Sequence, residues 1–137
     1  MRHILAICLL AFPFTAFAAG LDNPNEVDIV RIAATTGQLS LYVVLDERIL
    51  SRASAGKLYK KLNQYAKYVR SGQAFKDEPK ARSELPAIFV IMVPKPSTEA
   101  EMQNLTGIKN DFAGHGFTVN IEPFEPPKNR AAKPTGT

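Results

Sequence analysis

The stretch "LPAIFVIMVP", Leu85 to Pro94, constrains this chain more than any other. It is apolar almost without a break and is bounded by prolines. A strand that is apolar on both sides belongs in the middle of a sheet whose faces are covered. The rest of the chain must therefore supply flanking strands and helices to pack over it.

The flanking patterns are legible. "VDIVRIA" (Val27 to Ala33) is short and β-branched and is read as a strand. "TTGQ" follows, with Gly37 giving the turn its freedom. "LSLYVVL" (Leu39 to Leu45) places Leu39, Leu41, Val43 and Leu45 on one side and Ser40, Tyr42 and Val44 on the other. That period of two makes a second strand, paired with the first as a hairpin. A helix is expected over about Ser54 to Ser71, stopped by Gly72. The segment "QAFKDEPKARSE" reads as a charged linker. After the apolar strand, Thr98 with Glu101 forms a capping box and Glu99 suits the positive end of a helix dipole. Met102, Leu105, Ile108 and Phe112 make the apolar stripe of this second helix, which Gly114 or Gly116 ends. "FTVNI" (Phe117 to Ile121) alternates as a last strand. The order is ββαβαβ, an α/β (α+β) chain with a four-stranded mixed sheet and two helices. The alternation of the hairpin strands points to one face in water, hence a two-layer sandwich.

The ends of the chain bear on where it works. "MRHILAICLLAFPFTAFAAG" has an early Arg2, an apolar run to about Phe14, and Ala16 and Ala18 spaced as an A-x-A cleavage site. This is the pattern of a secretory signal peptide over residues 1–18, with cleavage after Ala18 and a periplasmic or secreted product. No membrane span is expected after cleavage. Cys8 follows Ile7, where a lipoprotein signal needs a small residue, so a lipid anchor is not expected. Cleavage would remove Cys8, the single cysteine, together with Arg2 and His3. Residues 19–26 read as a flexible lead-in, residues 27–124 as one domain, and residues 125–137 as a disordered tail rich in proline and lysine.

"LYKKLNQYAKYVRSGQAF" resembles the signature helix of a family of small bacterial α/β proteins catalogued only as a domain of unknown function. The matching residues are Leu58, Lys61-Leu62-Asn63, Tyr65, Tyr68 and Ser71-Gly72-Gln73. "TGQLSLYVVLDER" upstream and "GHGFTVNI" downstream are similar to the strand and closing segment of that family. The resemblance spans roughly Val27 to Ile121 and implies a fold, with no activity attached. Arg70 stands where the family helix carries an acid, so the basic face is sharper here.

On a helical wheel at about 100° per residue, Leu58, Leu62, Tyr65, Ala66 and Val69 share one side, with Tyr59 at its edge. Lys57, Lys60, Lys61, Gln64, Lys67 and Arg70 fall opposite, and Tyr68 lands among them. An aromatic side chain set among cations could meet an acidic protein or an anionic surface. A lysine-rich face is also the ordinary wet side of a helix. Lys60, Lys61, Lys67, Tyr68 and Arg70 are thus the candidate binding residues. A buried Tyr68, packed under the linker that carries Phe75, would remove the main support for that face.

His115 lies four residues after Asp111, a spacing that could orient an imidazole for catalysis. The chain has no G-x-S-x-G elbow. Histidine near a helix end also interacts favourably with the dipole. A usual structural zinc site needs more His and Cys than a leaderless chain keeps, and "DNPNEVD" lacks the spacing and glycine of a calcium loop. No metal and no cofactor are expected. The net charge of +4 is too small and dispersed for a dedicated nucleic-acid binder. The sequence therefore favours a non-catalytic interaction module, with a small hydrolase using His115, or a self-assembling module, as alternatives.

Overall fold

The computed structural model describes residues 21–125. The expected leader at 1–18, and the expected tail beyond residue 125, lie outside the described residues. The elements run β1 (Ile29–Ile32), β2 (Leu39–Val44), α1 (Arg52–Arg70), α2 (Gln73–Asp77), β3 (Ile88–Pro94), α3 (Glu99–Gly114) and β4 (Thr118–Phe124). The four strands form one sheet in the order β1-β2-β3-β4. β1 and β2 are antiparallel, while β2 with β3 and β3 with β4 are parallel. This is the four-stranded mixed sheet that the periodicity calls for, with the apolar stretch as an inner strand.

The topology places the helices. Both parallel connections step across the sheet in the same direction. Crossovers of one hand then put α1 and α3 on the same face, which gives two layers. The registers Val30–Leu41–Phe89–Val119 and Val43–Ile91–Ile121 mark that covered face. Leu58, Leu62 and Tyr65 of α1 and Leu105, Ile108 and Phe112 of α3 pack onto it. The Tyr65 and Phe89 rings meet edge to face at 5.8 Å.

None of the described helices covers the opposite face, so the expectation of covered faces on both sides of β3 is corrected among the described residues. Ile88 and Met92 are only half-buried there. Val90 is 3% exposed yet stands outside the main core. It lies in register between Tyr42 and Asn120, whose side chains flank it on the same face. Lateral neighbours in the sheet, rather than a second helical layer, keep it from water.

Two further departures concern segments read as loose. The linker after Gly72 contains α2, a third helix. Gly72 turns the chain at φ 84°, and Ala74 beyond it is fully buried. The lead-in is docked through Leu21 and the Asn23 carbonyl. Leu21 is 2% exposed, and the Asn23 carbonyl accepts a bond from Lys61. A short run with few apolar residues gives no periodicity to detect, yet one buried side chain is enough to dock it.

The helix ends are closed by different means. Ser51 and Ser54 form a reciprocal capping box at the start of α1. At α3 only half of the expected box is present. The Thr98 hydroxyl accepts from the Glu101 N–H at 3.1 Å, but the Glu101 carboxylate turns away. It is fully buried and accepts from the Ile49 N–H at 3.0 Å and from Arg48 at 2.9 Å. The Asn104 amide donates to the Ile49 carbonyl. Together they fix the loop between β2 and α1 to the first turn of α3.

Candidate functional site

The outer face of α1 is narrower than the wheel suggests. Lys61 is fully buried, with its ammonium 2.8 Å from a carboxylate oxygen of buried Asp28. The other Asp28 oxygen accepts from the Val44 N–H at 2.8 Å. The Tyr65 hydroxyl completes the arrangement, donating to the Tyr42 carbonyl at 2.7 Å and accepting from the Asp28 N–H at 3.1 Å. Lys61 is thus a pin between α1 and the segment that leads into β1, and the reading of it as a binding residue is corrected. At about 100° per residue it lies only about 60° round from Leu58, within reach of the buried arc. Polarity placed it outside, and a carboxylate from another element draws it in.

Tyr68 is corrected for a related reason. It is 6% exposed, and its hydroxyl donates to Asp77 of α2 at 2.5 Å. Burial first, and then this bond to Asp77, hold its phenol well above the ordinary tyrosine range. Phe75 is packed against the same core. Lys57 also leaves the set of free cations, since it pairs with Asp22 at 3.2 Å and Glu47 at 3.3 Å. The bonds to Asp22 and then Glu47 raise its pKa.

Lys60, Lys67 and Arg70 remain exposed, and none has an ion pair among the described residues. Arg70 has a defined seat. Its guanidinium carbon lies 4.8 Å from the centre of the Phe117 ring, within cation–π range. Phe117 in turn stacks on Phe89 at 5.0 Å.

Beside Arg70 a pocket of about 340 Å³ opens between α1 and α3. Tyr59, Asn63, Ala66 and Arg70 line it from α1, at spacings of three and four that keep them on one side of the helix. Asp111, Phe112, His115 and Phe117 line it from the end of α3 and the turn into β4. The Tyr59 and Phe112 rings meet at 5.8 Å, so the walls are largely aromatic.

This pocket joins residues that the sequence separates into two hypotheses. Arg70 comes from the basic face, and Asp111 and His115 from the weak catalytic pair. The pair is not assembled for catalysis. The Asp111 carboxylate accepts a short bond from the Tyr59 hydroxyl. That bond, with some burial, pushes the Tyr59 phenol up to about 12. The His115 ring instead meets the backbone carbonyl of Asp111 through Nδ1, at 3.0 Å. A carbonyl can only accept, so Nδ1 carries the proton in this contact. No Ser, Thr or Cys is among the described residues lining the pocket. Sequence reasoning missed Tyr59 and Asn63, although their i, i+4 spacing with each other was available. The signal that they line a pocket shared with α3 was not.

Among the described residues no cluster of His, Cys, Asp and Glu is arranged to hold a metal ion. No described helix is long and apolar enough to cross a membrane. No family model, curated protein or solved structure matches the chain.

Proposed function

We propose that this protein is an exported, non-catalytic binding module, periplasmic or secreted, that recognises an acidic protein or anionic surface. Its contact region is the cationic rim formed by Lys60, Lys67 and Arg70 beside the α1–α3 pocket. The observation that carries this reading is Arg70: a cation seated on Phe117, exposed, and without an acidic partner among the described residues. An arginine held in place but not neutralised is prepared for a carboxylate from elsewhere. The likeness of the α1 motif to the small bacterial family belongs to the same proposal.

The test uses tagged protein to capture partners from a periplasmic extract, compared with the variant Lys60→Glu/Lys67→Glu. Capture should be lost while the thermal transition stays within about 0.5 kcal/mol of the parent, because both lysines are at the surface. Undiminished capture would sink the reading of the rim. Export is checked separately by sequencing the N-terminus of protein recovered from the periplasm. It should begin at Ala19, and recovery only of intact chain from the cytosol would refute export.

A further inference from the structure

The rim accounts for attraction, but the pocket next to it has its own chemistry. The guanidinium carbon of Arg70 lies over the Phe117 ring at 4.8 Å, a contact with the π face that engages no acid and leaves N–H groups for another partner. Asn63 adds an exposed amide that can donate, and the His115 ring, with Nδ1 donating to the Asp111 carbonyl, forms part of the wall. The volume, about 340 Å³, is at the small end of ligand sites and suits a single ring with a short chain. The acid of the pocket, Asp111, is engaged by the Tyr59 hydroxyl. A carboxylate already placed there repels a ligand carboxylate from its own side.

We propose that this pocket takes a carboxylate carried on an apolar, preferably aromatic, body, with the carboxylate on Arg70 and the ring between Tyr59 and Phe117. This inference rests on the reading of the α1–α3 cleft as a binding region and names the group that enters it. One flat guanidinium matches a planar carboxylate in two parallel bonds, whereas a phosphate with its higher charge calls for more cations than one. The carboxylate can belong to a free aromatic acid or to the C-terminus of a peptide.

The test is a titration of the isotope-labelled protein, as recovered from expressing cells, followed by amide chemical shifts. The probes are 3-phenylpropionate, its neutral amide, acetate, and a tripeptide ending in phenylalanine with a free or an amidated terminus. Saturable shifts at Asn63, Arg70 and His115 are expected with 3-phenylpropionate. Affinity should fall at least about tenfold for the neutral amide, for acetate, and for the Arg70→Gln variant, the loss expected for one charge-assisted pair or for a lost apolar body. Asp111→Asn should bind the acid severalfold more tightly, since it removes the like charge while the side-chain oxygen still accepts from Tyr59. Tighter binding of the free-terminus tripeptide than of the small acid assigns the site to peptide ends, and the reverse assigns it to a free acid. Equal affinity for acid and amide, or shifts confined to residues outside the pocket, would overturn the proposal. Loss of capture in Lys60→Glu/Lys67→Glu with no effect of 3-phenylpropionate on the pocket would retire this inference and leave the rim standing.

Discussion

Lys61→Met is the sharpest single test of how α1 is used. The substitution keeps the length and apolar stem of the side chain and removes its charge. In the parent, the ammonium is 2.8 Å from Asp28 and 3.2 Å from the Asn23 carbonyl, and both charged side chains are fully buried. Asp28 cannot follow the change by turning to water, because one oxygen is held by the Val44 N–H. Removing one partner of a buried pair costs about 3–5 kcal/mol, chiefly because the other charge is left uncompensated. For a domain of about this size each kcal/mol moves the transition by about 4–8 °C, so a fall of about 12–40 °C is expected. Urea and thermal unfolding followed by circular dichroism would measure it. Asp28→Asn/Lys61→Met should recover at least half of the loss, because a neutral pair at the same place has no uncompensated charge. A loss below about 1 kcal/mol for Lys61→Met is what a surface ion pair gives. That result would refute the buried pin and return Lys61 to the binding face.

Other outcomes follow from the same structure. Tyr59, Tyr65 and Tyr68 all have phenols raised above the ordinary range, by Asp111 for the first and by burial for the others. The fold holds these protons more tightly than the unfolded chain, so their contribution is intact below about pH 10 and is lost as the pH climbs beyond it. Tyrosinate absorbance should therefore rise late and together with unfolding, and an early, reversible rise from three tyrosines would contradict it. Gly37→Ala should destabilise by about 1–2 kcal/mol, since φ there is 79° and a Cβ would sit 2.6 Å from the Arg82 Cγ. Denaturant melts that show no change would mean that the β1–β2 turn is shaped differently. Ser51→Ala should cost about 1 kcal/mol through loss of the α1 cap, read in the same melts. Thr98→Ala should cost a similar amount, because its hydroxyl is the half of the α3 box that is present.

The strands, the two long helices and the layer count were legible before any coordinates. Leu39, Leu41 and Val43 alternate with Ser40, Tyr42 and Val44, and that periodicity is a property of neighbours along the chain. Gly72 as a helix stop and Gly37 as a turn were legible for the same local reason. The binding face was only partly legible. Lys60, Lys67 and Arg70 stand outside as their polarity suggests, whereas Lys61 and Tyr68 do not. Their fate depends on Asp28 and Asp77, which lie 33 and 9 residues away.

By itself, then, the sequence determined the four strands and the two long helices and that one sheet face must be covered. It also determined that α1 carries more cations than its core side can use. Tertiary structure decided which of those cations are spent inside the fold. It brought Arg70 onto Phe117, turned Asp111 toward Tyr59 rather than His115, and opened the pocket between α1 and α3. The physical reason is that a charge is neutralised by whatever lies within a few ångströms of it, and only the packed chain sets that neighbour. Periodicity can report a face, but it cannot report what the face meets.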